Sequence, residues 1–322
     1  SFFMIQYDLI VVGGGISGMT AALSALENGV KNVIIIERED SLGGVVNQCI
    51  HSGFGSSILN VEVTGPEYVN FIRNRLLNHE VYIKLETEVI DLSKDKVITY
   101  VNSLEGVTEI KGSSIIFATG CREKFTGSIN IATNTYTGIN SIGNAHRVVN
   151  LEGYLLGKEP VIVASNKWAL IVARRLYIEG ADIKGILIKE NENFIFDDEN
   201  KDIIEGFNIP VYIDSKVIEI FGDERVTGVK IGSLMDKKEI ILGCDSLLLS
   251  VEYFPENSLL KNVKVEMDKE TLAPIVNEYE TGIKGVFACG NLIYGTKALT
   301  QKDINGGEAG KRAAEYIRNY YY

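Results

Sequence analysis

The first forty residues place apolar runs and glycines in an order that predicts a strand, a helix and a second strand. Residues 8–12 form a continuous, largely apolar run of strand length, as expected for a strand that is buried on both faces. Helical spacing of apolar residues follows from Met19 to Asn28, and Gly29 ends it. A second apolar run at 32–36 completes the pattern. These residues predict a βαβ unit, the building block of a doubly wound parallel sheet.

A long irregular segment separates this unit from a predicted small sheet. Residues 38–63 are rich in Gly, Asn and Ser, and connections of this length are usually functional or disordered. A helix is predicted from Thr64 to about Asn78, with Pro66 near its first turn, where a missing N–H costs nothing. Short β-type runs then predict a small antiparallel layer and a buried strand after it, at 81–84, 87–92, 96–101, 107–111 and 115–120.

The pattern of the first forty residues is repeated after Pro160. Residues 161–163 predict a strand, 167–179 a helix and 183–188 a second strand. Further strands and a closing helix are predicted at 211–221, 225–231, 238–242, 246–250, 285–291 and 303–320. We therefore predict an α/β protein with two Rossmann-like dinucleotide-binding domains, the second inserted into the first. The predicted ranges are 4–120 and 251–322 for the first domain and 121–250 for the inserted one.

Composition restricts the partners that the chain can bind. Forty-three acidic against thirty-two basic residues give a formal net charge of −11. This charge disfavours nucleic acid and anionic membranes, because Lys and Arg supply most of that affinity. The apolar runs are too short to span a membrane, and the N-terminus lacks a basic and then apolar leader. The four cysteines, which have neither zinc-ligand nor disulfide-framework spacing, are Cys49, Cys121, Cys244 and Cys289. We expect a reduced, cytoplasmic protein without a metal site.

The glycine turn of the first βαβ unit carries the main chemical signal. Gly13, Gly15 and Gly18 form a Gly-x-Gly-x-x-Gly motif that follows a predicted strand and opens a helix. Gly13 makes the turn, Gly15 lets a pyrophosphate approach the backbone, and Gly18 allows close packing of helix on strand. The helix N-terminus attracts the phosphate charge, and Glu37 at the end of the next strand accepts from ribose hydroxyls. The sequence therefore predicts a dinucleotide site.

The chain resembles the flavoproteins of the pyridine nucleotide–disulfide oxidoreductase superfamily, which have two dinucleotide-binding domains. The residues that carry the resemblance are the glycine motif with Glu37, Ala118-Thr119-Gly120, and Gly285–Asn291. A narrower similarity rests on Leu42–His51, Gly53-Phe-Gly55 and Thr64-Gly-Pro-Glu67. It points to NAD(P)/FAD-dependent oxidoreductases that are often found beside glycerol-3-phosphate dehydrogenases.

The resemblance implies FAD, bound non-covalently by the first domain, and NAD(P)H in the inserted one. The FAD-binding residues that it implies are Gly13, Gly15, Ser17, Gly18, Glu37, Arg38, Gly44, Ala118, Thr119, Gly120, Gly290, Asn291 and Gln301. It also implies a helix that starts near Gly306 and points at the flavin. With 322 residues, we expect no separate C-terminal interface domain.

The cysteines depart from the pattern of this superfamily. Its disulfide reductases carry two cysteines just after the Gly43-Gly44 position, whereas this chain has the single Cys49 there. Its thioredoxin reductases carry Cys-x-x-Cys in the inserted domain, and this chain lacks that too. The catalytic candidates are therefore Cys49 and His51. Cys49 would act as a lone thiol, and the nearby His51 would favour its thiolate form. The alternative is a buried cysteine and a hydrogen-bonded histidine that shape the FAD loop.

The inserted domain also departs from the motif. Ala164-Ser-Asn166-Lys-Trp168-Ala169 stands where Gly-x-Gly-x-x-Gly is expected, and the Asn166 side chain would occupy the space of the pyrophosphate. Either NAD(P)H binds in an altered way, with charge from Lys167 or from Arg174 and Arg175, or this domain has lost it.

A milder departure is Asn291, which stands where the family usually has Asp. The amide oxygen of an Asn can still accept from a ribityl hydroxyl. We expect an FAD-dependent oxidoreductase of the NAD(FAD)-utilising dehydrogenase type, without a redox-active cysteine pair. The alternative is a flavin-holding scaffold, or an electron-transfer partner of a glycerol-3-phosphate dehydrogenase. The expected partners are a small molecule or a redox protein, together with a second copy in a homodimer.

Overall fold

Two compact units make up the chain. The computed structural model describes residues 3–44, 65–125, 136–165, 167–188, 202, 205–300 and 305–322. The first unit comprises Ser1–Arg122 and Tyr253–Tyr322, and the second comprises Glu123–Glu252. Two strands that pair with each other, Cys121–Phe125 and Val251–Pro255, carry the chain between the units.

The described part of the chain contains these strands and helices, in chain order. The strands are β1 (Ile5–Val12), β2 (Val33–Ile36), β3 (Tyr82–Lys84), β4 (Glu88–Leu92), β5 (Val97–Asn102), β6 (Gly106–Phe117), β7 (Cys121–Phe125), β8 (Ile139–Ser141), β9 (Pro160–Ala164), β10 (Gly185–Ile188), β11 (Val211–Ile213), β12 (Ser215–Gly222), β13 (Val226–Ser233), β14 (Glu239–Gly243), β15 (Ser246–Leu249), β16 (Val251–Pro255) and β17 (Val286–Ala288). The helices are α1 (Ile16–Glu27), α2 (Gly65–Leu77), α3 (Ile142–Leu151), α4 (Lys167–Ile178), α5 (Ser258–Asn262) and α6 (Gly306–Tyr321). Short 3₁₀ helices span Gly290–Ile293 and Gly295–Thr300.

The sheet of the first unit is parallel at its centre and antiparallel at one end. Its strand order is β3-β2-β1-β6-β5-β4, and β17 also pairs with β6. Strands β3, β2, β1, β6 and β17 run parallel, whereas β6, β5 and β4 form an antiparallel meander. The carboxyl ends of β1, β2, β6 and β17 therefore meet at one edge, where ligands of open α/β sheets bind.

Both faces of this sheet are covered, as the apolar run at 8–12 predicts. Leu9 and Val11 pack with α1, α2 and α6 on one face. Ile10 and Val12 pack on the other face with the meander and the segment around Leu260. Because neighbouring side chains of a strand point to opposite faces, a strand covered on both sides must be apolar throughout.

The second unit repeats this plan with a separate meander. Its parallel sheet has the order β11-β10-β9-β15-β8, and β12, β13 and β14 form an antiparallel sheet of their own. Ile162 and Val163 on β9 again pack into two different clusters, one on each face. Strand β8 and helix α3 were not among the predicted elements; the Ser141 hydroxyl caps α3 by accepting from Asn144 N–H at 3.0 Å.

Three details of the predicted strands were wrong. The run at 81–84 is not part of an antiparallel layer, because α2 returns the chain so that β3 lies parallel to β2. The runs at 107–111 and 115–120 form the single strand β6. The buried Ser114 in its middle is accommodated because its hydroxyl donates to Gly285 O at 2.7 Å. The run at 211–221 is divided at Asp214, whose φ of +54° ends β11 and redirects the chain into β12.

Within the described ranges, every helix is too short or too polar to cross a lipid bilayer.

Candidate functional site

The turn after β1 requires glycine for steric reasons. Gly13 has a φ of +106°, and a Cβ atom there would collide with the carbonyl oxygen of Ala118 at the end of β6. A Cβ atom on Gly18 would collide with the carbonyl oxygen of Gly13, because α1 starts directly against the turn. Gly13 and Gly18 are therefore needed to place the helix N-terminus at the sheet edge.

Glu37 organises the same turn from the end of β2. Its side chain is only 8% exposed, and its two oxygens accept from backbone N–H groups. Gly14 N–H donates to Oε1 and Glu39 N–H donates to Oε2, both at 2.8 Å. Since each carboxylate oxygen has two acceptor positions, Glu37 keeps acceptor capacity for a further donor such as a ribose hydroxyl.

Gly15 is different, because no close neighbour within the described part of the chain explains it. A Cβ atom there would find the Gly44 Cα at 3.9 Å as its nearest described neighbour, which is an ordinary contact. Gly15 is the N-cap of α1, and α1 has neither a side-chain cap nor an acidic residue in its first turn. Free N–H groups, a helix dipole and room beside the backbone are what a pyrophosphate needs, so the site fits this group of FAD.

A second glycine pair supports the turn from outside. Gly43 N–H donates to Gly14 O at 2.8 Å, and Gly43 forms an isolated parallel bridge with Gly15. Gly44 has a φ of +54°. The segment after β2 thus returns to the motif, as the implied role of Gly44 requires.

Helix α6 brings its own N-terminus to this place. A Cβ atom on Gly306 would collide with Ser17 O, and one on Gly310 would collide with Ala21 O, so α6 packs with its backbone against α1. Ser24 Oγ donates to Gly307 O at 2.6 Å and fixes the register. The first turns of α1 and α6 are therefore neighbours.

Gly290 joins this cluster at the end of β17. Its φ is +72°, and a Cβ atom there would lie 2.7 Å from Ser17 Oγ. Ser17 thus contacts both Gly290 and α6. Asn291 follows directly, half-buried, and its backbone oxygen accepts from Cys121 Sγ at 3.4 Å.

The other predicted site residues lie beside the turn or outside the described residues. Thr119 Oγ1 donates to Glu256 O at 2.9 Å, and Gly120 O accepts from Glu256 N–H at 2.9 Å. Arg38 is largely exposed and lies 3.9 Å from the Glu256 carboxylate. Cys49, His51 and Gln301 lie outside the described residues.

The described cysteines are poor nucleophiles. Cys121, Cys244 and Cys289 are free thiols. Burial raises the thiol pKa of Cys289 to about 12. Burial, and then the nearby Glu256 charge, raises the pKa of Cys121 to about 12. Burial, with the Asp245 charge second, raises the pKa of Cys244 to about 11. All three stay protonated at neutral pH, and the thiolate is the reactive form.

The corresponding turn of the second unit is built in another way. Ala164 is the last residue of β9, paired with Ile188, and it is not among the described residues with positive φ. Ser165 N–H donates to the buried Ser250 Oγ at 3.0 Å. Ala169 is fully buried with its methyl group, where the first unit has Gly18.

The charges suggested for this second turn are not all available to it. Arg175 lies in the last turn of α4 and pairs with Glu179 at 3.0 Å. Arg174 is its neighbour, and seven residues of helix separate Arg174 from Lys167 by about 10 Å. Asn166 lies outside the described residues, as do the side chains of Lys167 and Trp168.

Sequence reasoning missed three groups of this site. Gly14 and Gly43 hold the turn through backbone hydrogen bonds. The sequence features that could have indicated them are the three consecutive glycines at 13–15 and the two at 43–44. Asn305 has no comparable signal, because its partner Gly290 lies fifteen residues earlier in the chain.

Comparison with known proteins agrees with this geometry. Residues 7–309 match the model of the family described as pyridine nucleotide-disulphide oxidoreductase. One component of the alkyl hydroperoxide reductase of Staphylococcus aureus is 22% identical over an alignment of 320 residues, which covers 97% of this chain and 59% of that protein. The thioredoxin reductase of Mycoplasma genitalium is 25% identical over 292 residues, covering 89% of this chain and 87% of that protein.

A solved structure shows the same fold. The thioredoxin reductase of T. acidophilum superposes with a TM-score of 0.74 at 22% identity and covers 98% of both chains. The predicted α/β fold with two dinucleotide-binding domains is thereby confirmed. The match over residues 7–309 also confirms the predicted superfamily, and it supports FAD as the cofactor. The chain belongs to the pyridine nucleotide-disulphide oxidoreductase family.

Proposed function

We propose that this chain is an FAD-dependent oxidoreductase of the NAD(FAD)-utilising dehydrogenase type, which transfers electrons without a cysteine pair of its own. The first unit, with the predicted ranges 4–120 and 251–322, would hold FAD, and the predicted domain 121–250 would be the nicotinamide-type domain. The observation that carries the proposal is the meeting of the Gly13–Gly18 turn, Glu37 and the first turns of α1 and α6 at the carboxyl edge of one parallel sheet.

Each group of this edge has a task in holding the cofactor. The uncapped N-terminus of α1 and the open space at Gly15 would take the pyrophosphate. Glu37 would accept from the ribose, and Asn291 from a ribityl hydroxyl. When bound, FAD supplies the hydride and electron transfer, which protein side chains cannot perform. The first turn of α6 would orient the flavin by its dipole.

The proposed absence of cysteine-pair chemistry rests on the thiols. Burial keeps Cys121, Cys244 and Cys289 protonated, and they are free. Cys49 is the single cysteine of the segment where the disulfide reductases that the sequence resembles carry two. A lone thiol at Cys49, with His51 nearby, can form a mixed disulfide but cannot close a disulfide within its own segment. The chain would therefore need a second protein to reduce a disulfide.

The chain spans 59% of the length of the alkyl hydroperoxide reductase component that it matches. We propose a small-molecule or protein redox partner and a cytoplasmic location, with a homodimer as the assembly. The names of the relatives, a thioredoxin reductase and a component of a hydroperoxide reductase, favour a protein partner.

A second candidate differs in the electron donor. In it the second unit has lost NAD(P)H, and the flavin exchanges electrons with a partner such as a glycerol-3-phosphate dehydrogenase. The observation that favours it is the turn at Ala164, where neither described residue, Ala164 or Ser165, has a positive φ and where Ser165 N–H is already bonded to Ser250 Oγ.

One experiment tests both candidates. The purified protein should be yellow and release FAD on denaturation, and NADH or NADPH under anaerobic conditions should bleach its visible flavin band. A protein that neither contains nor takes up FAD contradicts the proposal as a whole. A flavin that stays oxidised with both nucleotides but is reduced with a co-purifying dehydrogenase and its substrate favours the second candidate.

A disulfide assay tests the absence of a cysteine pair. With NADPH and a small disulfide reporter, the chain alone should show no turnover. Sustained reduction of the reporter by the chain alone would contradict the proposal, and the Cys49→Ser variant would then identify the thiol involved.

A further inference from the structure

We propose that Asn305 is a positioning residue of the FAD site, which fixes the direction in which the chain leaves β17. Asn305 directly precedes α6 and is only 6% exposed. Its Oδ1 accepts from Gly290 N–H at 2.6 Å. The inference rests on the proposed function, because it assigns a role within that same site.

The side chain of Asn305 does not do what Asn usually does before a helix. An Asn at the N-cap normally accepts from N–H groups of its own helix. Here α6 has no side-chain cap, because the Asn305 amide points back to Gly290. Its Nδ2 donates to the Tyr294 hydroxyl at 3.1 Å, which fixes which end of the amide faces Gly290.

Gly290 is the point at which this bond acts on the site. Its left-handed φ of +72° turns the chain from β17 into the 3₁₀ helix that contains Asn291. On its other side lies Ser17 of α1, too close for any side chain at 290. The preceding Cys289 N–H is bonded to Phe117 O at 3.0 Å. The backbone at 290 is thus held between α1, β6 and the Asn305 amide.

One buried amide therefore links three chain segments that come from distant parts of the sequence. These are the first turn of α1 through Ser17, the end of β17 at Gly290, and the start of α6. All three carry groups that the proposed function assigns to FAD. Without the amide, the position of Asn291 and the approach of α6 are no longer coupled, and Gly290 N–H loses its partner in a buried place.

Residue 305 could bond either to Gly290 N–H or to the first turn of α6. Variants that lose one or both of these bonds distinguish an effect on the FAD site from an effect on stability. In Asn305→Ser the hydroxyl is one bond shorter and can cap α6, but it cannot replace the bond to Gly290. Asn305→Ala offers neither bond. Asn257→Ala is the matched control, because Asn257 also precedes a helix without capping it and its amide instead donates to Leu272 O at 2.6 Å.

The experiment measures the FAD dissociation constant of the apoprotein, the visible circular dichroism of the flavin at saturating FAD, and the thermal midpoint of the apoprotein. We expect Asn305→Ala and Asn305→Ser to weaken FAD binding about tenfold or more and to change the visible circular dichroism. Both variants should lower the thermal midpoint, because both leave Gly290 N–H without its partner, and Asn305→Ser should lower it less, because its hydroxyl can cap α6. Asn257→Ala should lower the midpoint without changing FAD affinity or spectrum.

Two outcomes would overturn the inference. In one, Asn305→Ser binds FAD with wild-type affinity and spectrum; in the other, Asn257→Ala weakens FAD as strongly as Asn305→Ala. If Asn305→Ala does not fold, the FAD affinity and flavin spectrum of Asn305→Ser test the inference alone. FAD binding by the wild type is measured first. A wild-type protein that does not bind FAD contradicts the proposed function and not this inference.

Discussion

The two units of this chain share a sheet plan but build the turn after their first strand differently. Both place that strand at the centre of parallel strands and follow it with a helix. Even the neighbouring backbone bond is the same, since Ala118 N–H donates to Val12 O and Ser250 N–H donates to Val163 O, both at 2.8 Å. The two units differ from the next residue of the first strand onward, which is Gly13 in one unit and Ala164 in the other.

In the first unit the turn is left-handed at Gly13, and the next N–H is taken by Glu37. In the second unit the strand continues through Ala164, and the next N–H is taken by Ser250. The comparison shows that the Rossmann-like sheet and helix do not require the glycines. The glycines of the first unit allow the close approach of the helix, and in the proposed function they also admit a ligand.

The largest expected effect comes from moving alanine into the first turn. Gly18→Ala should abolish FAD binding and lower the free energy of unfolding by about 3 kcal/mol, because its methyl group collides with Gly13 O. The opposite change in the second unit, Ala169→Gly, should lower the free energy of unfolding by about 1 kcal/mol and leave FAD affinity unchanged. Urea unfolding and equilibrium dialysis with FAD measure both. Wild-type FAD affinity in Gly18→Ala would remove the distinction between the two turns.

The next test compares the side chains that hold the two turns. Glu37→Ala removes a charged acceptor from Gly14 N–H and Glu39 N–H, and we expect FAD to bind about a hundredfold more weakly. Ser250→Ala removes one neutral bond and should lower the unfolding free energy by about 1 kcal/mol. Fluorescence titration with FAD should show no change in Ser250→Ala. If both variants lose the same FAD affinity, FAD binding does not depend specifically on the turn of the first unit.

A third prediction concerns thiol protonation, which is similar in both units. The pKa of Cys289 is about 12 in the folded chain, whereas an unfolded thiol titrates near about 8.5. The unfolded state therefore loses its proton first, so this contribution to stability is complete below about pH 8.5 and is lost as the pH rises toward 12. Between pH 7 and 10 the wild type should lose about 2 kcal/mol more unfolding free energy than Cys289→Ala. Parallel pH profiles in urea titrations would show that Cys289 is not the buried, protonated thiol described above.

The smallest expected effect is a repair of the second turn. Asn166 stands where the motif needs its middle glycine, so Asn166→Gly should tighten NADH or NADPH binding about tenfold. Isothermal titration with the nucleotide measures it, and Asn166→Ala is the control because it shortens the side chain without giving the freedom of glycine. If wild type and both variants bind equally, the middle position does not limit nucleotide binding.

Local patterns predicted the centre of each unit well. The strand at β1, the helix α1 and the role of Gly13 and Gly18 followed from apolar periodicity and from steric demands between near neighbours. Sheet partners were harder, because a short apolar run does not state which strand it pairs with. This is why the run at 81–84 was assigned to the antiparallel layer although it lies parallel to β2.

The sequence by itself determined that this chain has two βαβ units, an excess of acidic residues and one intact glycine motif. Periodicity and glycine placement express forces that act within a few residues, so they can be recognised without the fold. Only the tertiary structure decided that Asn305 bonds to Gly290, that Ser17 lies between Gly290 and α6, and that Ser250 occupies the second turn. These contacts join residues that are distant in the chain, and their geometry exists only after the sheets and helices have packed.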